Sequence, residues 1–116
     1  MSEARIFVFG SNLAGRHGKG AALTAAKEYG AEYGRGSGPT GRAYAIPTKD
    51  SRLNPHSLAM IQYYVNGFLS YARAHPDLRF NVTRIGCGLA GYTDAQIGPM
   101  FTGAPDNCDL PEGWGK

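Results

Sequence analysis

Three segments of the chain carry residue types that could do chemistry, and each follows a short apolar run. The first is Gly10-Ser-Asn-Leu-Ala-Gly-Arg-His-Gly-Lys-Gly20, which leaves backbone N–H groups around Gly15, Gly18 and Gly20 accessible just before a helix-forming stretch. A helix presents unpaired N–H groups and its positive dipole end there, which suits a pyrophosphate. Asn12 offers donor and acceptor on one amide, useful for reading sugar hydroxyls, and His17 and Lys19 lie on the same loop. The loop is not a P-loop, because Gly20 follows Lys19 where GxxxxGK(S/T) needs a hydroxyl residue.

The second segment is Ala45-Ile-Pro-Thr-Lys-Asp50. Lys49, behind Thr48 at the end of a buried strand, is a candidate nucleophile if desolvation frees its amine; a solvated lysine is the alternative. The third, Ile85-Gly-Cys-Gly-Leu-Ala-Gly-Tyr92, is another glycine-rich turn. Its backbone at Gly86, Gly88, Leu89, Ala90 and Gly91 could cradle a second phosphate. Cys87 sits between two glycines with no histidine partner in view, and reads as a small side chain demanded by space. Tyr92 either stacks on a ribose or base or fills the core.

These segments need elements to position them. Ile6-Phe7-Val8-Phe9 reads as a buried strand ending at Gly10, followed by a helix from Gly20 to Tyr29 that Gly30 stops. Gly34 to Gly41 reads as a flexible loop, and Tyr44-Ala45-Ile46 as a second strand. Asn54-Pro55 opens the longest helix, to about Ala74, with Leu58, Ile61, Val65, Phe68, Leu69 and Ala72 facing the sheet. Tyr63, Tyr64 and Tyr71 form a second stripe, either the edge of the core face or a dimer contact. Phe80 to Ile85 alternates as a third strand, Thr93 with Gln96 matches a capping box, and Asn107 to Leu110 reads as a last strand. Strands alternating with helices imply a parallel sheet covered on both faces, with ligands outside the strands' carboxyl ends.

The ordered segments together resemble the macrodomain superfamily, and within it the branch of terminal ADP-ribose glycohydrolases and DNA ADP-ribosyl glycohydrolase antitoxins. Asn12 with Gly18-Lys-Gly-Ala21, Ile46-Pro-Thr-Lys49 and Gly86-Cys-Gly-Leu-Ala-Gly91 match that branch's three elements over residues 5 to about 103. The resemblance implies a three-layer α/β/α fold with a mainly parallel, mixed sheet in a single domain. It also implies that the glycine loops hold a diphosphate, that Asn12 lies near the distal ribose, and that Lys49 attacks the anomeric carbon. Ala90 replaces the acidic residue that some members carry, leaving Asp94 and Asp50 as the nearest carboxylates, with Asp94 the candidate acid/base. The expected function is binding of ADP-ribose or a related nucleotide, with hydrolysis from an ADP-ribosylated protein or nucleic acid through Lys49. The alternative is a non-catalytic binder that sequesters an ADP-ribose-derived signal, as in conflict between bacteria and phage.

Composition narrows the rest. The 116 residues suffice for one core, and 17 glycines in clusters point to loops rather than to a repeat. A net charge of +3, with the cations scattered, favours an anionic ligand over a nucleic-acid track. The two cysteines have no CxxC or His/Cys ligand spacing, so neither a metal nor a cofactor is expected. No apolar run approaches membrane-spanning length, and a cytoplasmic location with reduced thiols is the expectation.

Overall fold

The computed structural model describes residues 5–88 and 90–115. Strands β1 (Arg5–Asn12), β2 (Gly38–Thr40), β3 (Ala43–Lys49), β4 (Arg79–Val82) and β5 (Cys108–Asp109) form one sheet in the order β2-β3-β1-β4-β5. Helices α1 (Gly20–Glu28), α2 (Leu58–Ala74) and α3 (Asp94–Ile97) connect them, and α3 runs on into a 3-10 turn over Gly98–Phe101. The pairings β1–β3, β1–β4 and β4–β5 are parallel, and β2–β3 is antiparallel. The chain is therefore a compact α/β unit on a mixed, mostly parallel sheet. No helix among the described residues is long and apolar enough to cross a membrane.

Register explains how both faces of the sheet are filled. Val8 pairs with Tyr44 and with Val82, so these side chains share a face, where they meet Ile61, Val65 and Phe68 of α2. Phe9 pairs with Ala45 and points the other way, onto Ala22 and Ala25 of α1. Burial on both sides is why β1 and β3 read as continuous apolar runs rather than alternating ones. From β1 the chain passes through α1 to β3 on one side, and from β3 through α2 to β4 on the other. Crossovers of one hand running in opposite directions place their helices on opposite faces. A crevice opens where β1 sends its loop to one face and its neighbours send theirs to the other.

Several expected boundaries shift. The stretch Gly34 to Gly41 is not all loop: residues 38–40 pair with β3 as an edge strand, where Pro39 is tolerated. The long helix begins at Leu58, not Asn54, because Ser57 caps it by accepting from Met60 N (3.2 Å). Lys49 bridges Pro55 instead, which keeps Asn54 and Pro55 out of the helix. The third strand stops at Val82, since Thr83 turns its amide and hydroxyl to Val8 O (3.0 and 2.8 Å). The capping box of Thr93 and Gln96 is present as the spacing implies. In the tyrosine stripe, Tyr64 and Tyr71 pack on the core, whereas Tyr63 is 68% exposed.

The two-residue strand β5 is secured by charge. Arg79 Nε donates to Asp109 Oδ2 at 2.9 Å, a second guanidinium nitrogen donates to Oδ1, and Arg5 stands at 3.4 Å. Hydrogen bonding by Arg79 holds the Asp109 carboxyl below the ordinary carboxylate range. A depressed folded value means the stabilisation is present above the unfolded value of about 3.9 and is lost as pH falls through the lower folded one. Asp109→Asn should therefore flatten the acid limb of the stability curve, modestly because the pair is partly exposed. Acid titrations of the two proteins that superimpose would show that the pair carries none of this limb.

Candidate functional site

A cleft of about 520 Å³ opens where β1, β3 and β4 end. Gly10, Ser11 and Asn12 form its floor, Gly18 to Ala22 one wall, and Thr83 to Gly86 with Gly88 and Ala90 the opposite wall. Arg16, Lys19, Lys49 and Arg84 all line it, and among the described residues no carboxylate does. Four cations in a concave site focus a positive potential, although one of them, Arg84, is paired with Asp94 just off the lining. Lys19, the N-cap of α1, makes no side-chain capping hydrogen bond. The first-turn amides of Gly20, Ala21 and Ala22 thus end at the cleft uncapped, as an anion-binding helix start requires.

Two kinds of glycine shape this region. A Cβ at Gly18 or Gly88 would meet nothing within 4 Å, and neither residue needs a left-handed backbone, so the fold does not demand glycine there. A Cβ at Gly36, by contrast, would lie 2.0 Å from Asn12 O. Gly15 likewise packs on Gly34 behind the cleft and does not line it.

Asn12 lines the cleft, but much of its amide is spent locally. Its Nδ2 donates to Arg16 O and its Oδ1 accepts from Arg16 N, both at 3.0 Å. One amide hydrogen remains for a ligand, and the clamp itself sets the loop that carries Arg16. Thr48 is buried and donates to Ser11 O (3.4 Å), which ties β3 to β1 beneath the cleft. Lys49 is half-buried, and its carbonyl accepts from Leu13 N (3.1 Å). The turn after it is organised by Asp50, whose carboxylate accepts from Asn54 N and Arg52 N (2.9 Å each), with Asn54 the larger influence holding it ionised. That turn fixes Leu53 at φ 66°, a left-handed conformation rare for a branched residue, on the cleft lining.

The remaining expected residues sit elsewhere. His17 is 2% exposed and turned inward, edge-on to Phe9, with its Nε2 against Arg35 O (3.1 Å). Burial lowers its pKa and favours a neutral ring that braces the loop. Tyr92 donates its hydroxyl to His56 O and packs against the core. Cys87 lies off the cleft, and burial followed by the Asp94 charge raises its pKa, so it is not an activated thiolate. Gly91 is exposed behind the turn, with its amide on Gly88 O (3.0 Å), and Leu89 lies outside the described residues. Asp94 is not on the lining: its Oδ1 accepts from Trp114 Nε1 (2.8 Å) and pairs with Arg84. The Trp114 bond first, and then Arg84, hold this carboxyl below its ordinary value.

Arg16, Arg84, Thr83 and Leu53 complete the cleft without having been singled out by sequence reasoning. The signal was thin: Arg84 lay inside the stretch Phe80 to Ile85 that reads as a strand, and Leu53 belongs to no motif. No protein-family model, curated protein or solved structure matches this chain.

Proposed function

We propose that the protein is a macrodomain-like, three-layer α/β/α domain that binds ADP-ribose or a close relative. The observation that carries this reading is the cleft: four cations, no carboxylate among the described residues, an uncapped helix start and two open glycines at the carboxyl edge of three parallel strands. A pyrophosphate lies between the Gly18–Ala22 wall and the Gly86–Ala90 wall, where Arg84 and Lys19 meet its charge. The distal ribose lies toward β3, beside Thr48 and Lys49. Asp94, anchored by Trp114, acts there as the brace that orients Arg84.

In the catalytic form of this reading, the Lys49 amine bonds to the anomeric carbon as the bond to the departing group breaks. The proton shed by the amine ends on that group, and water then releases ADP-ribose and restores Lys49. One observation favours the non-catalytic alternative, a binder that sequesters the nucleotide: among the described residues the lining supplies no carboxylate to serve as acid or base. Titration calorimetry with ADP-ribose, ADP and ribose 5-phosphate tests the binding claim. Micromolar affinity for ADP-ribose, exceeding that for either fragment, is the expected result; no heat with any of them would remove the reading.

A further inference from the structure

Helix α2 carries a surface that the other described residues leave uncovered. Its core face is Ile61, Val65, Phe68, Leu69 and Ala72. On the opposite side, at alternating spacings of three and four, stand Met60, Tyr63, Gly67, Ser70 and Ala74, all exposed. Arg73 is the sole charged residue in this 17-residue helix. A helix face turned to water is ordinarily charged, so an outward stripe without any charge calls for a cover.

Gly67 sharpens the point. Glycine in a helix interior is less favourable than alanine. A Cβ there would meet nothing within 4 Å among the described residues, and the backbone is not left-handed, so neither their packing nor conformation accounts for it. Beside Gly67 lies a groove of about 410 Å³, bordered also by Tyr44, Tyr64 and Ser70. Tyr44 is only 8% exposed, and its hydroxyl makes no hydrogen bond among the described residues. The groove thus has a hole at Gly67 and, in its wall, a solvent-reachable tyrosine hydroxyl with no hydrogen bond among the described residues. Tyr63 borders the same groove one helical turn from Gly67, its ring against that of Tyr64 (5.2 Å) yet 68% exposed, and forms a knob.

We propose that this stripe binds the same stripe of a second copy, as an antiparallel helix pair. A two-fold axis between Tyr63 and Gly67 brings position 63 of each copy onto position 67 of the other, and Met60 onto Ser70. The large residues occupy the first half of the stripe and the small ones the second, so antiparallel pairing sets every large residue against a small one. A parallel pair would set ring on ring at Tyr63 and leave a void at Gly67. The contact is isologous and closes on itself, which yields a dimer and no further growth. The Tyr63 ring enters the groove beside Gly67, where its hydroxyl meets that of Tyr44. Because the stripe is uncharged, the net charge of +3 places no like charges across the contact. The stripe shares no residue with the anion cleft, so the dimer stands independently of what the cleft binds.

Sedimentation velocity on the full chain across a dilution series tests this. The parent should be a dimer at the upper concentrations. Gly67→Glu should be monomeric throughout while retaining its circular dichroism. Tyr63→Ala, a truncation at an exposed position, should weaken the dimer about tenfold or more even if the glutamate variant fails to fold. Exchanging knob and hole, with Tyr63→Ala and Gly67→Tyr together, should restore the dimer, and Lys27→Glu on α1 should leave it intact. A parent that is monomeric throughout, or a dimer that both Gly67→Glu and Tyr63→Ala leave unchanged, would overturn the proposal.

Discussion

Lys49→Arg should abolish release of ADP-ribose from any conjugate the parent processes, while free ADP-ribose still binds within a few-fold of the parent. Arginine keeps the positive charge at the end of β3, so the electrostatics of the cleft are retained. What it lacks is a nucleophilic nitrogen, because the guanidinium stays protonated. Affinity should survive because, on the proposed reading, the diphosphate is held by the helix start, the two glycine walls and Arg84, none of which changes. Single-turnover assays on ADP-ribosylated protein and nucleic acid, run beside calorimetry, separate the two quantities. Full turnover by Lys49→Arg would show that Lys49 is a ribose or phosphate contact only. A parent that turns over nothing yet binds would leave the sequestering role in its place.

The largest loss of stability should come from Phe68→Ala. Phe68 is fully buried where α2 crosses the sheet, with the Tyr44 ring at 5.1 Å, Phe80 at 5.3 Å and Phe101 at 6.3 Å. Truncation removes its transfer free energy and leaves a cavity that three fixed rings cannot collapse, a loss of about 3–5 kcal/mol. That is a large part of the roughly 5–15 kcal/mol that holds a typical domain together. Urea denaturation should show a much lower midpoint with little change in slope. A midpoint within error of the parent would mean that α2 does not seal this face of the sheet.

The strand-and-helix order was legible because burial on both faces writes itself as apolar runs: Ile6 to Phe9 and Tyr44 to Ile46 need no tertiary knowledge to be read as strands. Capping chemistry is equally local, and Thr93 with Gln96 behaves as its spacing says. Strand β2 was hidden because Gly38-Pro39-Thr40 has loop composition and becomes a strand only by pairing with Ala43 to Ala45. The helix start was misplaced because Asp50 and the Lys49–Pro55 bridge organise a turn that competes with the helix.

Within the candidate site, the glycines and Lys49 announced themselves by type and position, but the direction of a loop side chain did not. His17 turns inward onto Phe9 while its neighbours Arg16 and Gly18 line the cleft, a choice set by a ring contact from another element. Arg84 reaches the cleft because β4 ends early, and Asp94 is drawn to Arg84 and Trp114 by residues distant in sequence. Such convergence is tertiary, and no local spacing encodes it.

On the proposed reading a diphosphate lies against the backbone between the two glycine walls, and calorimetry of ADP-ribose with Gly88→Val is the decisive measurement. Gly88 has an ordinary backbone conformation, and a Cβ there meets only open space, so the variant should fold as the parent does. Its isopropyl group would stand in the cleft where the phosphates must approach the amides. The parent should bind with micromolar affinity, and the folded variant should show no detectable binding. Equal affinity in the two proteins would contradict it.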